Sequence, residues 1–149
     1  MKAIIFKTNN DWTGLILRLT IGLILFPHGA QKVLGWFGGP GFDGEMQFFT
    51  ETLQIPWLIG LLVILIEFAG AIALIAGFAS RLWSAAIIGL FTGIIFVGQH
   101  AQNGFFMNWF GNQQGEGYEY HLLVIGLALA VIVQGSGRFS VDRQLSPAG

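Results

Sequence analysis

No cysteine occurs in this sequence. That excludes dithiol–disulfide chemistry, thiolate metal sites and cysteine-ligated iron–sulfur clusters within the chain itself. Charge is scarce too. Only 10% of the 149 residues are charged, where ordinary soluble domains carry about 25%. The formal net charge is −1 and no basic stripe is present, so nucleic-acid binding is set aside. Apolar residues take the place of charge and make up 54% of the chain. A water-soluble fold of that composition would expose large adhesive patches, so the sequence predicts a membrane protein. The length allows one domain, residues 1–149, and no separate soluble catalytic module.

The apolar residues gather into four stretches: Trp12–Leu34, Pro56–Ala79, Leu82–Gln99 and Tyr120–Gln134. A bilayer core of about 30 Å needs about 20 mostly apolar residues in a helix. The first two stretches meet that length, the third is marginal and the fourth is short. The expected fold class is an all-α membrane protein, a four-transmembrane-helix bundle with amphipathic outer loops. Lys2 and Lys7 precede the first apolar run, as they would in a signal peptide. The run is too long for one, and the candidate cleavage point after Ala30 has His28 at the −3 position, so cleavage is not expected.

Cations set the orientation. Lys2, Lys7, Arg81, Arg138 and Arg143 all fall on one side of a four-span topology. Loops 35–55 and 100–119 contain no Lys or Arg and instead carry Asp43, Glu45, Glu51, Glu116 and Glu119. Positive residues favour the cytoplasmic side, which predicts both termini inside and both long loops outside. The Ser80–Arg81 connection is short enough to make spans two and three antiparallel neighbours. In the first outer loop Met46, Phe49 and Leu53 share one helical face, with Glu45 and Glu51 turned elsewhere. In the second, Phe105, Phe106, Met107, Trp109 and Phe110 cluster. Both are expected at the outer interface, as anchors or as a lid over an outward-facing pocket. A faint repeat links Ile21-Gly22-Leu23 with Ile88-Gly89-Leu90, and Gly77–Arg81 with Gly135–Arg138, as two parallel hairpins would.

Ionisable groups inside the spans are costly, usually paired and often functional. Glu67 lies midway along span two and must be protonated or paired. Its candidate partners are Arg18 from below and His28 from above, either as a structural Arg18–Glu67 tether or as a proton- or ligand-handling site. His28 and Lys32 are four residues apart and share a helical face; Lys32 could equally snorkel to the outer headgroups. Gly14, Gly22 and Gly29 leave room for close helix packing, and Pro27 removes a backbone donor and favours a kink. His100, Glu119 and His121 sit at the outer ends of spans three and four, with Tyr118 and Tyr120. Imidazoles and carboxylates invite a metal reading, but their spacing matches no tight ligand motif, so no metal site is assigned.

Several segments together resemble the DoxX family of bacterial inner-membrane proteins. Leu17-Arg18-Leu19, Gly22, Phe26-Pro27-His28-Gly29, Lys32 and Gly35-Trp36-Phe37-Gly38-Gly39-Pro40-Gly41-Phe42 are similar to the family's opening. Glu67-Phe68-Ala69-Gly70 with Gly77 and Arg81 resembles its second helix. Tyr120-His121-Leu122-Leu123 and Gly135-Ser136-Gly137-Arg138-Phe139-Ser140-Val141-Asp142 are similar to its close. The likeness covers nearly the whole chain. It implies a four-helix bundle in a bacterial inner membrane, with relatives that include small subunits of thiosulfate:quinone oxidoreductase and members of oxidative-stress redox complexes. It marks Arg18, His28, Lys32, Glu67 and Arg138 as family-like positions. With no cysteine to hold a sulfane sulfur, sulfur oxidation would require a partner subunit.

The function expected is that of a membrane subunit of a redox complex, binding quinone between its helices. Glu67 and His28 are the expected catalytic groups, Glu67 relaying a proton; Arg18, Lys32, His100, His121 and Glu119 are the expected ligand-binding set. Expected partners are the lipid bilayer, a protein of the redox complex and a second copy of the chain. Two other readings stand beside this one: a small carrier or channel built on a midplane carboxylate, and a non-catalytic scaffold for soluble redox enzymes.

Overall fold

The computed structural model describes residues 5–146. Lys2, part of the orientation argument, lies outside the described residues. All regular structure among them is helical. Helix α1 spans Trp12–Leu34. It starts where Asp11 accepts the Gly14 N–H at 2.8 Å and ends at Gly35, whose φ of 68° closes the last turn. Pro27 lies inside α1 without ending it. A 3₁₀ turn, Trp36–Gly38, leads into the short helix α2, Gly41–Gln47, and a π turn, Phe48–Thr52. Then come α3 at Trp57–Ala76, α4 at Ser80–Val97, α5 at Glu119–Gln134 and the short α6 at Val141–Leu145. Helices α1, α3 and α4 are long and apolar enough to cross a membrane; α5 is shorter.

The long helices form a ring. α1 packs extensively on α3 and α4 on α5, while α1–α5 and α3–α4 contacts close the circle. Ile21, Leu25, Leu74, Ile87 and Val131 lie at its centre. Outward positions such as Leu23, Leu65, Leu82, Phe96 and Val133 are exposed and apolar, which suits hydrocarbon rather than water. Glycine brings α1 and α3 close. A Cβ on Gly29 would come within 2.6 Å of the Phe68 Cα, and one on Gly22 within 3.0 Å of the Ala71 carbonyl oxygen. Here the expectation of close packing at these glycines holds.

The ends of the bundle differ from expectation in detail. Span three begins earlier than expected, at Ser80, because the backbone N–H groups of Ala79 and Ser80 are capped by Asp142 from far downstream. The N-terminal segment, the α3–α4 turn and the segment after α5 meet at one end: Gly137 N–H donates to Thr8 Oγ1, Arg138 N–H to the Asp11 carbonyl and Asp142 N–H to the Gly77 carbonyl. At the other end α2 lies against α3, with Met46, Phe49 and Ile64 in a small core of their own. The suggested repeat does not extend to environment. Gly22 is wedged against α3, whereas a Cβ on Gly89 would meet open space.

Candidate functional site

Two buried polar centres lie at opposite ends of the ring. The first is built on Arg18, which is 1% exposed. A guanidinium carries five N–H donors, and all five are used. Nε donates to the Ser136 carbonyl, Nη1 to those of Leu74 and Ile75, and Nη2 to those of Arg138 and Phe139. The Leu74 and Ile75 carbonyls belong to the last turn of α3, where helix geometry leaves acceptors unpaired and favours a cation. Asp142 complements this at the start of α4. Its carboxylate accepts from Ala79 N–H at 2.5 Å and Ser80 N–H at 3.0 Å, and from the Ser136 hydroxyl. Ala79 has φ 48°, a left-handed conformation that costs energy in a non-glycine residue. The carboxylate cap holds it there. Gly77 must be glycine for two reasons: its φ is 70°, and a Cβ there would collide with Ser140.

Arg18 is therefore not a partner of Glu67, and the Arg18–Glu67 tether is replaced by other contacts. Arg18 has no donor left for a ligand either. Depth along the chain ranked Glu67 as its partner, whereas its actual neighbours are the carbonyls at the end of α3 and after α5. Asp142 was not singled out from the sequence. Its capping targets lie more than sixty residues upstream, and no local signal reports them.

The second centre is built on Glu67, 5% exposed. Lys32 reaches across from α1, its Nζ 2.9 Å from Glu67 Oε2. The same Nζ lies 3.6 Å from Oε1 of Glu45 on α2. Lys32 thus sits between two carboxylates, and Glu45 turns inward rather than away as the sequence pattern suggested. The Lys32 ammonium is the partner of Glu67 Oε2, although the contact is off-axis for a hydrogen bond, and no other donor among the described residues reaches that oxygen.

This pair closes the head of a groove of about 760 Å³ between α3 and α4. The body of the groove is apolar, with Leu62, Ile66, Leu90 and Ile94 among its walls, and Gly89 and Gly93 forming an open floor. The segment between α1 and α3 lines it through Phe48, Phe49 and Leu53. His100 stands at the rim. Its ring packs edge-on against His121, centroids 4.5 Å apart, and its Nδ1 is 3.4 Å from the Gly117 carbonyl. His121 is buried behind it, 6% exposed, with Nδ1 lacking a partner.

The groove thus brings together Lys32, Glu67, Glu45 and His100, with His121 one ring behind. Two expected members are elsewhere. His28 is exposed on α1 and does not line the groove, although Lys32 one turn later does. Glu119 serves the loop between α4 and α5: its Oε1 accepts from Met107 N–H at 3.0 Å and Trp109 Nε1 at 3.3 Å. That contact orders the aromatic loop, in which Phe110 is 90% exposed. Among the described residues no group of three or more His, Asp or Glu side chains could hold a metal ion. No sequence signal separates Glu45 from Asp43 and Glu51, which share its segment.

The DoxX family model matches residues 13–100. The chain is 26% identical to "Inner membrane protein YqjF" of Escherichia coli, over 94% of this chain and 97% of that protein. It is 25% identical to "Inner membrane protein YphA" of Escherichia coli, over 87% and 88%. It is 26% identical to "Putative oxidoreductase CatD" of Bacillus subtilis, over 78% and 76%. No solved structure matches the chain.

Proposed function

The chain belongs to the DoxX family, and from that premise we propose that it is a multi-pass inner-membrane subunit of a redox complex that binds quinone in the α3–α4 groove. The observation that carries this reading is the groove itself: about 760 Å³, apolar along its length, with the Lys32–Glu67 ion pair at one end. That is the division of chemistry an isoprenoid quinone needs, an apolar slot for the tail and polar groups for the ring. Two relatives named as inner membrane proteins and one named as an oxidoreductase support the setting. In this reading α1, α3, α4 and α5 are four spans, and both termini are cytoplasmic. The described cations Lys7, Arg81, Arg138 and Arg143 fall outside α1, α3, α4 and α5 or at a helix start of the terminal end, which agrees with that orientation.

Quinone, when bound, supplies the redox chemistry. The chain supplies position and protons. Lys32 would hold a ring oxygen, positioned by Glu45 and Glu67 on either side. Glu67 would take or give a proton at that end of the groove. His100, packed against His121 at the rim, would be a second hydrogen-bonding group facing the groove. Because so little of the chain lies outside the helices, the second substrate belongs to a partner protein, and a second copy of the chain is compatible with the same complex.

The test is quantification of quinone extracted from gently purified protein, per mole of chain, for the wild type, Glu67→Gln and Lys32→Met. Near-stoichiometric quinone that falls several-fold in both variants is expected. Quinone no higher than the membrane background in the wild type would sink the reading.

A further inference from the structure

The terminal end of the bundle carries a second cavity that the redox reading does not use. It measures about 360 Å³ and is lined by Lys7, Thr8, Asn9, Arg81, Val133 and Gln134. Two cations, a hydroxyl and two amides converge on it, and among the described residues no carboxylate lines it. Asp11 and Asp142 lie at this end but do not line the cavity: Asp11 caps α1 through Oδ1, with Oδ2 buried, and Asp142 caps α4. Arg81 is tethered rather than loose: its Nη2 donates to the Val133 carbonyl at 3.3 Å. Its Nη1 makes no hydrogen bond among the described residues. A guanidinium with donors to spare beside a cavity lined by a second cation and other donors is a place for an anion.

The surroundings say which kind. Val133 is 79% exposed, and Leu82, next to Arg81, and Leu129, one turn before Val133, are also exposed. An apolar strip therefore runs from the pocket up the outer face of α4 and α5. A polar headgroup cradle continued by an exposed apolar strip fits an acyl lipid lying along the helices.

We propose that this pocket binds the phosphate of an anionic phospholipid, with Arg81 and Lys7 as its charge partners and the Leu82–Leu129–Val133 strip as its acyl track. Arg81 meets the phosphate through its Nη1 N–H groups, while Thr8, Asn9 and Gln134 hydrogen-bond its remaining oxygens or the glycerol of the headgroup. This site is separate from the α3–α4 groove, and its test does not depend on quinone.

The experiment is native mass spectrometry of the full chain in mixed micelles titrated with phosphatidylglycerol, with phosphatidylcholine and inorganic phosphate as the other arms. The wild type should retain phosphatidylglycerol in preference to phosphatidylcholine, and millimolar phosphate should leave that adduct in place. Arg81→Gln and Lys7→Gln should each weaken retention about fivefold, the effect of one cation near an anionic lipid, and Arg81→Lys should recover part of it. Lys7 is exposed and lies outside the helices, so Lys7→Gln decides the matter if Arg81→Gln fails to fold. Equal retention of both lipids, or retention unchanged in Lys7→Gln, would overturn the proposal. So would displacement by inorganic phosphate, which would make the ligand a soluble anion.

Discussion

The two buried charged centres answer the same problem in opposite ways. Arg18 spends every N–H on a backbone carbonyl, and Asp142 fills its carboxylate with two backbone N–H groups and a hydroxyl. Lys32, Glu67 and Glu45 form a looser set in which one ammonium is shared by two carboxylates, at 2.9 and 3.6 Å. The first centre lies among packed backbone, the second at the head of an open groove. A buried ion in membrane protein must be compensated either way. When the compensation is complete the ion is architecture. When capacity is left over beside a cavity, it is available to a ligand.

The sharpest way to break this contrast is Arg18→Ala. Five carbonyls would lose the guanidinium, of which Leu74 alone keeps the Gly77 N–H, and a buried polar group left unsatisfied costs about 1–3 kcal/mol. The sum over the others is comparable to the whole stability of an ordinary domain, about 5–15 kcal/mol. The expected outcome is loss of monodisperse protein in size-exclusion chromatography. Arg18→Lys should recover only part of it, because an ammonium has three donors and no planar fork. A well-folded Arg18→Ala variant with reduced quinone would move Arg18 from architecture to the ligand site.

Two glycines sharpen the comparison next. Gly29 faces backbone, with the Phe68 Cα and Glu67 carbonyl carbon within 2.7 Å of an added Cβ, so Gly29→Ala should push α1 off α3. A cost of about 1–3 kcal/mol is expected, as for other overpacking, read as a lower unfolding temperature. Gly89 faces open groove. Gly89→Leu should leave the unfolding temperature nearly unchanged and sharply lower quinone retention. The same kind of substitution thus reports packing at one site and occupancy at the other. A smaller effect belongs to Glu67→Gln. Neutralising the carboxyl removes its desolvation cost while Lys32 keeps Glu45, so the stability loss should stay within about 1–2 kcal/mol. Retained quinone is where that variant should show its loss.

The sequence made the long elements legible because apolar run length is a one-dimensional signal. Trp12–Leu34 was expected with the bounds α1 has, and the other three helices agree to within a few residues. The ionisable residues worth attention were also legible, since each is expensive in an apolar run. Their pairing was not. Depth along the membrane normal ranked Arg18 and His28 as neighbours of Glu67, but depth says nothing about which way a side chain turns around its helix. Lys32 reaches Glu67 because Gly29, one turn earlier, lets α1 approach α3 at that level. The caps made by Asp142 depend on chain ends meeting through the fold, which no local pattern encodes. The fourth helix, short by composition, forms against α4 all the same, with Val124, Ala128 and Val131 buried.

His28 supplies the smallest effect and the most direct comparison of pattern with placement. Helical spacing put His28 and Lys32 on one face, and the Phe-Pro-His-Gly segment made His28 the more prominent of the two. In the folded chain Lys32 turns into the groove and His28 outward, exposed, away from the groove walls. His28→Ala should therefore change stability by no more than about 0.5 kcal/mol, as for a surface position without special contacts. Quinone retention should match the wild type, while His100→Ala, at the rim, should lower it or slow its exchange. If His28→Ala instead lost quinone with the fold intact, the outer half of α1 would have to rotate in the working complex. The exposed face of His28 would then mark where a partner subunit completes the site.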